Sequence, residues 1–179
     1  MSDFSLKPFF ADIYQECPEA EFPKAKKLLK IDGDGQSLKV YLGLGKLKSC
    51  DFITGKQDFY RLIEVSDLKS QYQSLHERVA ELKKHLTTKE LKTCFYPKEV
   101  ISKELREKYL QSLLILNKLQ KTKQLKDRNK QFIVVLCQAE QADVVAFQFI
   151  VSKLSQNLSG LVDNVEVISL EQLHSRLAA

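Results

Sequence analysis

The sequence lacks the features that would place it in several large protein classes. No window approaches the ~18 consecutive apolar residues of a membrane-spanning helix. The N-terminus, MSDFSLKPFF, has neither the basic nor the apolar region of a secretory signal, so we expect a cytoplasmic protein with no membrane partner. The four cysteines form no CxxC pair, which argues against zinc ribbons and thioredoxin-like sites. In the cytoplasm they are expected to be isolated, mainly buried thiols.

Several ligand-binding motifs are also incomplete. The sequence has only three histidines, and His76 and His85 are too far apart on one helix to bind a single ion, so no histidine metal site is expected. The segment DGDGQSLKVYLG resembles the start of a calcium loop, but its last residue is Gly43 instead of the bidentate Glu that such a loop requires. The segment GLGKLK lacks the third glycine of a dinucleotide-binding fingerprint, and no GxSxG segment indicates a serine hydrolase.

The composition is that of an ordinary globular domain, but the charge is unevenly placed. The 179 residues are 44% hydrophobic and 28% charged, which predicts one domain over residues 1–179. The net charge is +5, yet residues 67–130 alone contain 16 Lys or Arg and 8 Asp or Glu. This excess indicates a positive surface suited to nucleic acid or to an acidic partner. A solvated helical face rich in lysine is the alternative.

The most basic segment is KLQKTKQLKDRNK, residues 118–130, with six basic residues and one acid. Basic side chains there would complement a helix C-terminus, and they could equally bind phosphates. No aromatic residue is interleaved, so base stacking on this segment is not expected. The candidate nucleic-acid-binding residues are Lys118, Lys121, Lys123, Lys126, Arg128 and Lys130.

Turn residues and apolar runs predict an α/β fold. A short helix is expected after Pro8. The runs AKKLLKI and SLKVYLGLG flank DGDGQ as one predicted hairpin, and CDFIT and DFYRLIEVS form a second. Further on, QFIVVLCQ and NVEVISL are predicted strands on either side of a helix, which is a parallel crossover unit. A final helix is expected in EQLHSRL. Together these elements predict a mixed sheet of about five to six strands flanked by helices, with QFIVVLCQ central and covered on both faces.

The middle of the chain is predicted to be helical. Apolar residues recur every 3.5 residues on average at Leu68, Tyr72, Leu75, Val79, Leu82 and Leu86. A second apolar stripe begins after Pro97, which suits the first turn of a helix. We therefore predict a helical hairpin over residues 67–126, inserted in the domain and packed on the sheet. An intermolecular coiled coil is the alternative.

Two acids lie in the second predicted hairpin. Asp51 precedes the run FIT, and Glu64 lies among Leu62, Ile63 and Val65, where a buried charge requires a partner such as a metal ion. Strand alternation places Glu64 and Ser66 on one face. Asp51 could instead be an acid beside a turn, and Glu64 could lie on an edge strand or pair with a basic side chain.

The order of elements and the acid pair resemble the PD-(D/E)xK phosphodiesterases, which have the restriction-endonuclease-like fold. In that family an Asp begins the second core strand, and an acid, one residue and a Lys follow on the third. The resemblance implies that Asp51 and Glu64 are catalytic and bind Mg²⁺ or Mn²⁺. Ser66 stands at the position of the Lys and cannot supply its positive charge, so full activity is not expected unless Lys69 provides it.

The leading hypothesis is a nucleic-acid-associated protein of nuclease-like fold, a metal-dependent phosphodiesterase with weakened activity, whose expected nucleic-acid partner is DNA more than RNA. The alternative is a catalytically inactive module that binds a protein partner through its helical hairpin. The two hypotheses differ in the geometry that they require. Catalysis needs both carboxylates to converge on one ion at an open edge, not under a helix.

Overall fold

The described part of the chain folds around one mixed sheet. A computed structural model describes residues 5–13, 17, 27–33, 37–56, 58–94, 96–122 and 126–178. Its six strands lie in the order of the sequence: β1 (Phe10–Asp12), β2 (Lys27–Lys30), β3 (Phe52–Lys56), β4 (Phe59–Ser66), β5 (Asn129–Leu136) and β6 (Asn164–Ser169). Strands β1 to β4 are antiparallel neighbours, whereas β4, β5 and β6 are parallel. The predicted α/β class and mixed sheet are confirmed.

Helices cover both faces of this sheet. They are α1 (Leu38–Tyr41), α2 (Leu68–Leu82), α3 (Thr88–Cys94), α4 (Pro97–Lys121), α5 (Gln141–Ala146), α6 (Gln148–Asn157) and α7 (Leu170–Ala178). The connection from β4 to β5 runs through α2, α3 and α4, and the one from β5 to β6 runs through α5 and α6. Parallel neighbours require such long crossovers. No helix within the described ranges has the length and apolar character needed to cross a membrane.

Strand β5 is buried on both sides, as its apolar run predicts. It lies between β4 and β6. Phe132 and Val134 pack in the core layer that contains α4 and α6, and Ile133 and Val135 pack in the layer that contains α7. Because both faces are covered, the strand has no polar position along residues 132–136. The prediction for QFIVVLCQ is confirmed.

The predicted helical region contains two helices of different character. Asp67 caps α2 by accepting a hydrogen bond from the backbone N–H of Ser70 at 3.1 Å. Only Leu68 of α2 is fully buried. By contrast, α4 packs a continuous stripe on the sheet, formed by Ile101, Leu105, Tyr109, Ser112, Ile115, Leu116 and Leu119. Within residues 67–126, α4 is therefore a core crossover helix, and the surface left for a partner lies mainly on α2.

Two predictions for the first third of the chain are wrong. After Pro8 the chain makes only a 3₁₀ turn (Lys7–Phe9) and then enters β1, because the edge of β2 offers backbone hydrogen bonds that a local helix preference does not outweigh. The segment SLKVYLGLG contains α1 in place of a strand. Leu38 and Leu42, four residues apart, are buried while Tyr41 is exposed, which is helical periodicity. Residues 34–36 of the predicted turn lie outside the described ranges.

The cysteines also differ from expectation. Cys17 and Cys137 form a disulfide across a sequence separation of 120 residues, and Cys50 is a buried free thiol. Cys17 and Cys137 meet in the core layer of Ile13 and Phe52, which the wide spacing of the cysteines does not reveal. The expectation of isolated thiols therefore agrees with Cys50 and is wrong for Cys17 and Cys137.

Reduction of this disulfide is expected to destabilise the protein. The bond closes a loop of more than a hundred residues, and loss of a disulfide typically costs about 2–4 kcal/mol of unfolding free energy because the unfolded chain gains freedom. Urea unfolding with and without dithiothreitol measures the change. The double variant Cys17→Ser, Cys137→Ser is the control and should not respond to the reductant. A wild-type protein equally stable in both conditions would contradict the prediction.

Candidate active site

The pairing of β3 with β4 brings the two predicted acids together. Phe52, the first residue of β3, pairs with Ile63 of β4. The same antiparallel register, continued by one residue, places Asp51 opposite Glu64. Both positions lie on the same strand face as residues of the core layer under α4, such as Ile53 and Leu62. Asp51 is half-buried, whereas Glu64 is only 2% exposed.

Asp51 is held at the end of the β3–β4 ladder. Its Oδ2 accepts a hydrogen bond from the backbone N–H of Val65 at 2.7 Å. Its backbone carbonyl accepts a second hydrogen bond, from the N–H of Ile31 in the chain that leaves β2, at 2.8 Å. These bonds hold the carboxylate beside the residue that follows Glu64, so the first acid has a defined position in the absence of any ligand.

Glu64 pairs with a residue that the sequence analysis did not select. The ammonium of Lys108, on α4, donates a hydrogen bond to Glu64 Oε1 at 2.5 Å. The Glu64 side chain is 3% exposed and that of Lys108 24%, so the ion pair lies under α4 with one side towards solvent. Glu64 is on a central strand, between β3 and β5, and not on an edge. The partner of the buried acid is thus a lysine from the crossover helix.

A short hydrogen-bond chain fixes α4 relative to the acids. The buried hydroxyl of Ser112 donates to the carbonyl of Lys108 at 2.8 Å, and the backbone N–H of Cys50 donates to the same hydroxyl oxygen at 2.8 Å. The residue before Asp51 is therefore linked through Ser112 to the backbone of Lys108. The sequence analysis did not identify Lys108 or Ser112 as site residues. The signal that could have indicated them is a serine, Ser112, within the apolar stripe of α4, with a lysine, Lys108, one helical turn before it.

Burial dominates the electrostatics of this site. Burial and then the charge of Asp51 raise the pKa of Glu64 to about 8, against the opposing effect of Lys108. The sequence predicts a raised pKa for one acid of a close pair, although desolvation is the larger cause. Burial lowers the pKa of Lys108. The carboxylates of Glu64, Asp51 and Glu104 together raise it by a larger amount, so the pKa lies above its ordinary value. Lys108 therefore keeps its proton throughout the neutral range.

Of the other two predicted catalytic residues, Ser66 lies near this site and Lys69 points away from it. Ser66 is half-buried at the end of β4, two residues beyond Glu64, and its carbonyl accepts from the N–H of Cys137 at 3.2 Å. Lys69, on the first turn of α2, is exposed and forms an ion pair with Asp143 at 3.2 Å. Because its side chain lies against α5, Lys69 does not reach back to the acids. Lys108 takes the place that was suggested for Lys69.

Two of the six predicted nucleic-acid-binding residues form hydrogen bonds within the protein. Lys118 Nζ donates to the carbonyl of Leu42 at 2.6 Å and so ties α4 to the segment after α1. Lys130 Nζ contacts Asp127 Oδ1 at 3.2 Å and the carbonyl of Arg128 at 3.0 Å. The ammonium groups of Lys118 and Lys130 thus each have hydrogen-bond partners within the protein.

The remaining basic residues are distributed differently. Lys121 is exposed at the last position of α4, and Lys123 lies outside the described ranges. Lys126 and Arg128 line a groove, with the guanidinium of Arg128 5.2 Å from the centre of the Tyr60 ring. The predicted basic segment therefore does not form one continuous cationic face.

Asp51 and Glu64 are the residues that could hold a divalent cation, which would then have few protein ligands. Mg²⁺ prefers oxygen ligands and usually keeps several waters, so one or two carboxylates are sufficient. Glu64 Oε2 is buried and has no hydrogen-bond partner within the described residues. No group of three or more His, Cys, Asp or Glu suited to a metal occurs in the same ranges. Since Glu64 lies under α4, an ion would enter from the side of the half-buried Asp51.

No protein-family model, curated protein or solved structure matches this chain.

Proposed function

We propose that the protein is a metal-dependent phosphodiesterase that acts slowly on nucleic acid, with Asp51, Glu64 and Lys108 as its catalytic residues. One observation carries the proposal: Lys108 Nζ lies 2.5 Å from Glu64 Oε1, in a chain that has Ser66 where the resemblance implies a lysine. Two carboxyl groups and one ammonium are the groups that this chemistry requires, and a bound divalent cation would favour the ionised form of Glu64. Here the ammonium comes from the crossover helix instead of the strand.

Each residue has a role that follows from its chemistry. Asp51 and Glu64 would hold Mg²⁺ or Mn²⁺, which when bound polarises a phosphate and lowers the pKa of a coordinated water. Lys108, whose pKa lies above its ordinary value, would provide a fixed positive charge next to the negative charge that develops on the phosphate. Ser112, which bonds to the backbone of Lys108, is a positioning residue.

The burial of Glu64 under α4 departs from the open edge that catalysis is expected to need, so any cleavage would be slow. At 2% exposure Glu64 has no open path to a bulky substrate, and its Oε1 is engaged with Lys108. Substrate would therefore approach from Asp51 and the exposed part of Lys108. The same burial is the specific observation that favours the non-catalytic alternative, in which the ion pair only fastens α4 to the sheet. A protein partner would then use α2, because the apolar stripe of α4 is already buried.

Cleavage assays separate these two candidates. Plasmid, linear duplex, single-stranded DNA and RNA are each incubated with Mg²⁺, Mn²⁺ or EDTA, and products are separated by electrophoresis. We expect slow, metal-dependent cleavage by the wild type and a loss of about 100-fold or more in Asp51→Ala, which removes a proposed metal ligand. The control is Asp143→Ala, which removes an acid whose carboxylate contacts Lys69 and the backbone N–H of Glu140. Equal activity in wild type and Asp51→Ala would refute the phosphodiesterase.

A further inference from the structure

A groove lies on the same sheet face as Glu64, at the other end of β3 and β4. Its volume is about 480 Å³, within the range of ligand sites. Its floor contains Leu29, Ile53 and Tyr60, which belong to the core layer under α4. Phe10, 45% exposed on β1, also lines it. The groove is thus an apolar recess at the edge of the buried core.

Three cations surround this apolar floor. Lys27, Lys126 and Arg128 line the groove, and none of the other described lining residues is an acid. Two acids lie beside these cations: Asp12 is opposite Lys27 in the β1–β2 register, and Asp127 accepts hydrogen bonds from Lys130 and, at 3.3 Å, from Gln120. The described lining itself carries three cations and no acid, which favours an anionic ligand.

A glycine allows one of these cations to be placed against an aromatic ring. A Cβ atom at Gly55 would lie 3.1 Å from Tyr60 Cε1 and 3.5 Å from a guanidinium nitrogen of Arg128. Without that side chain the Tyr60 ring can pack beside β3, and Arg128 lies over the ring. The contact restricts Arg128 before any ligand binds, which lowers the entropy cost of binding.

We propose that this groove binds single-stranded nucleic acid, with phosphates on Lys27, Lys126 and Arg128 and a base against Phe10 and the apolar floor. Bases stack on aromatic and apolar side chains only when they are not already stacked in a duplex. A duplex presents its phosphates but keeps its base faces stacked inside, so no base could lie against the floor. The inference deepens the proposed function, on which it depends for its choice of substrate class.

The distance between the groove and the two acids sets the length of nucleic acid that can contact the groove and the acids at once. Tyr60 and Glu64 are four residues apart on β4, which corresponds to about 13 Å at the strand rise. A single strand spans at least the rise of about 3.4 Å per nucleotide of a duplex strand, so at most about four nucleotides cover that distance. A strand anchored in the groove would therefore reach Asp51 and Glu64 along the same sheet face.

Fluorescence anisotropy in EDTA tests binding without any contribution from metal. The probes are a labelled twelve-nucleotide oligothymidylate and the matching oligothymidylate–oligoadenylate duplex. We expect the single strand to bind about tenfold more tightly than the duplex. Lys126→Ala combined with Arg128→Ala should reduce the slope of log affinity against log salt by about 1.4, or ~0.7 for each lost contact. Phe10→Ala should weaken binding of the single strand about tenfold and leave the duplex unaffected.

The matched control replaces Lys103 and Lys121, both exposed on α4 and outside the groove, with alanine. Equal losses in the control and groove variants, equal affinity for the duplex, or no binding of the single strand would each overturn the proposal. If the double variant Lys126→Ala, Arg128→Ala keeps both its binding and its metal-dependent cleavage, nucleic acid does not bind in the groove. That result would leave the phosphodiesterase proposal intact. Groove-dependent binding without cleavage would refute only the phosphodiesterase.

Discussion

Replacing Lys108 with methionine is expected to lower metal-dependent cleavage by roughly 100-fold, the effect of removing one group that stabilises transition-state charge. Methionine keeps much of the apolar stem and removes the ammonium. Lys108→Arg keeps the positive charge and should retain more activity than Lys108→Met. The initial rate of plasmid cleavage with Mn²⁺ measures the effect, and thermal unfolding shows whether each variant is folded.

A second substitution distinguishes a catalytic role of Lys108 from a structural one. Ser66 lies on the same strand face as Glu64, at the position where the resemblance implies a lysine. Ser66→Lys in the Lys108→Met background should restore about a tenth or more of the activity, because it returns a positive charge to the acids. Lys69→Met is the control, since Lys69 contacts Asp143 instead of Glu64. If the added lysine restores stability but no activity, Lys108 only fastens α4 to the sheet.

The stability of the wild type is expected to fall as pH rises from about 4.5 to about 8. In the folded protein burial raises the pKa of Glu64 to about 8, whereas its ordinary value is 4.5. Between these values the folded state holds a proton that the unfolded state releases, so the unfolding free energy decreases with pH. The loss should be on the order of a few kcal/mol. Above pH 8 the contribution of Glu64 should no longer change.

Glu64→Gln isolates this contribution. Glutamine has nearly the same shape and does not titrate, so the variant should lack the dependence attributed to Glu64. Asp51, Lys108, Glu104 and Cys50 act electrostatically on the same region and remain in both proteins. The informative quantity is therefore the difference in unfolding free energy between the two proteins, measured in urea at about pH 5, 6.5 and 8. Parallel curves would mean that Glu64 is ionised throughout and held by Lys108.

The elements that were predicted correctly are those with a strong local pattern. The apolar run of β5 indicates a strand covered on both faces, and the apolar stripes that follow Asp67 and Pro97 indicate helices. The segments of β1 and α1 were assigned wrongly because each is short. Strand pairing decides the structure of β1, and burial of Leu38 decides that of α1.

The candidate site was predictable only in part for a related reason. Alternation along β4 and the hairpin with β3 identify Asp51 and Glu64 as neighbours. Nothing local to Lys108, 44 residues further along the chain, indicates that it faces a strand. The groove shows the same limit. Its cations include residues of the predicted basic segment, but Phe10 and Tyr60 come from two other strands.

Because the proposed activity requires the Glu64–Lys108 contact, it would also show when α4 has docked on the sheet during folding. Glu64 is on a strand that forms through local hairpin pairing, whereas Lys108 arrives only when the crossover helix docks on the sheet. Contacts of large sequence separation form late because closing the loop costs entropy before any contact compensates for it. A partly folded chain with an intact β3–β4 hairpin would therefore hold both acids but not the ammonium. Recovery of cleavage during refolding would follow docking of α4, later than formation of the hairpin.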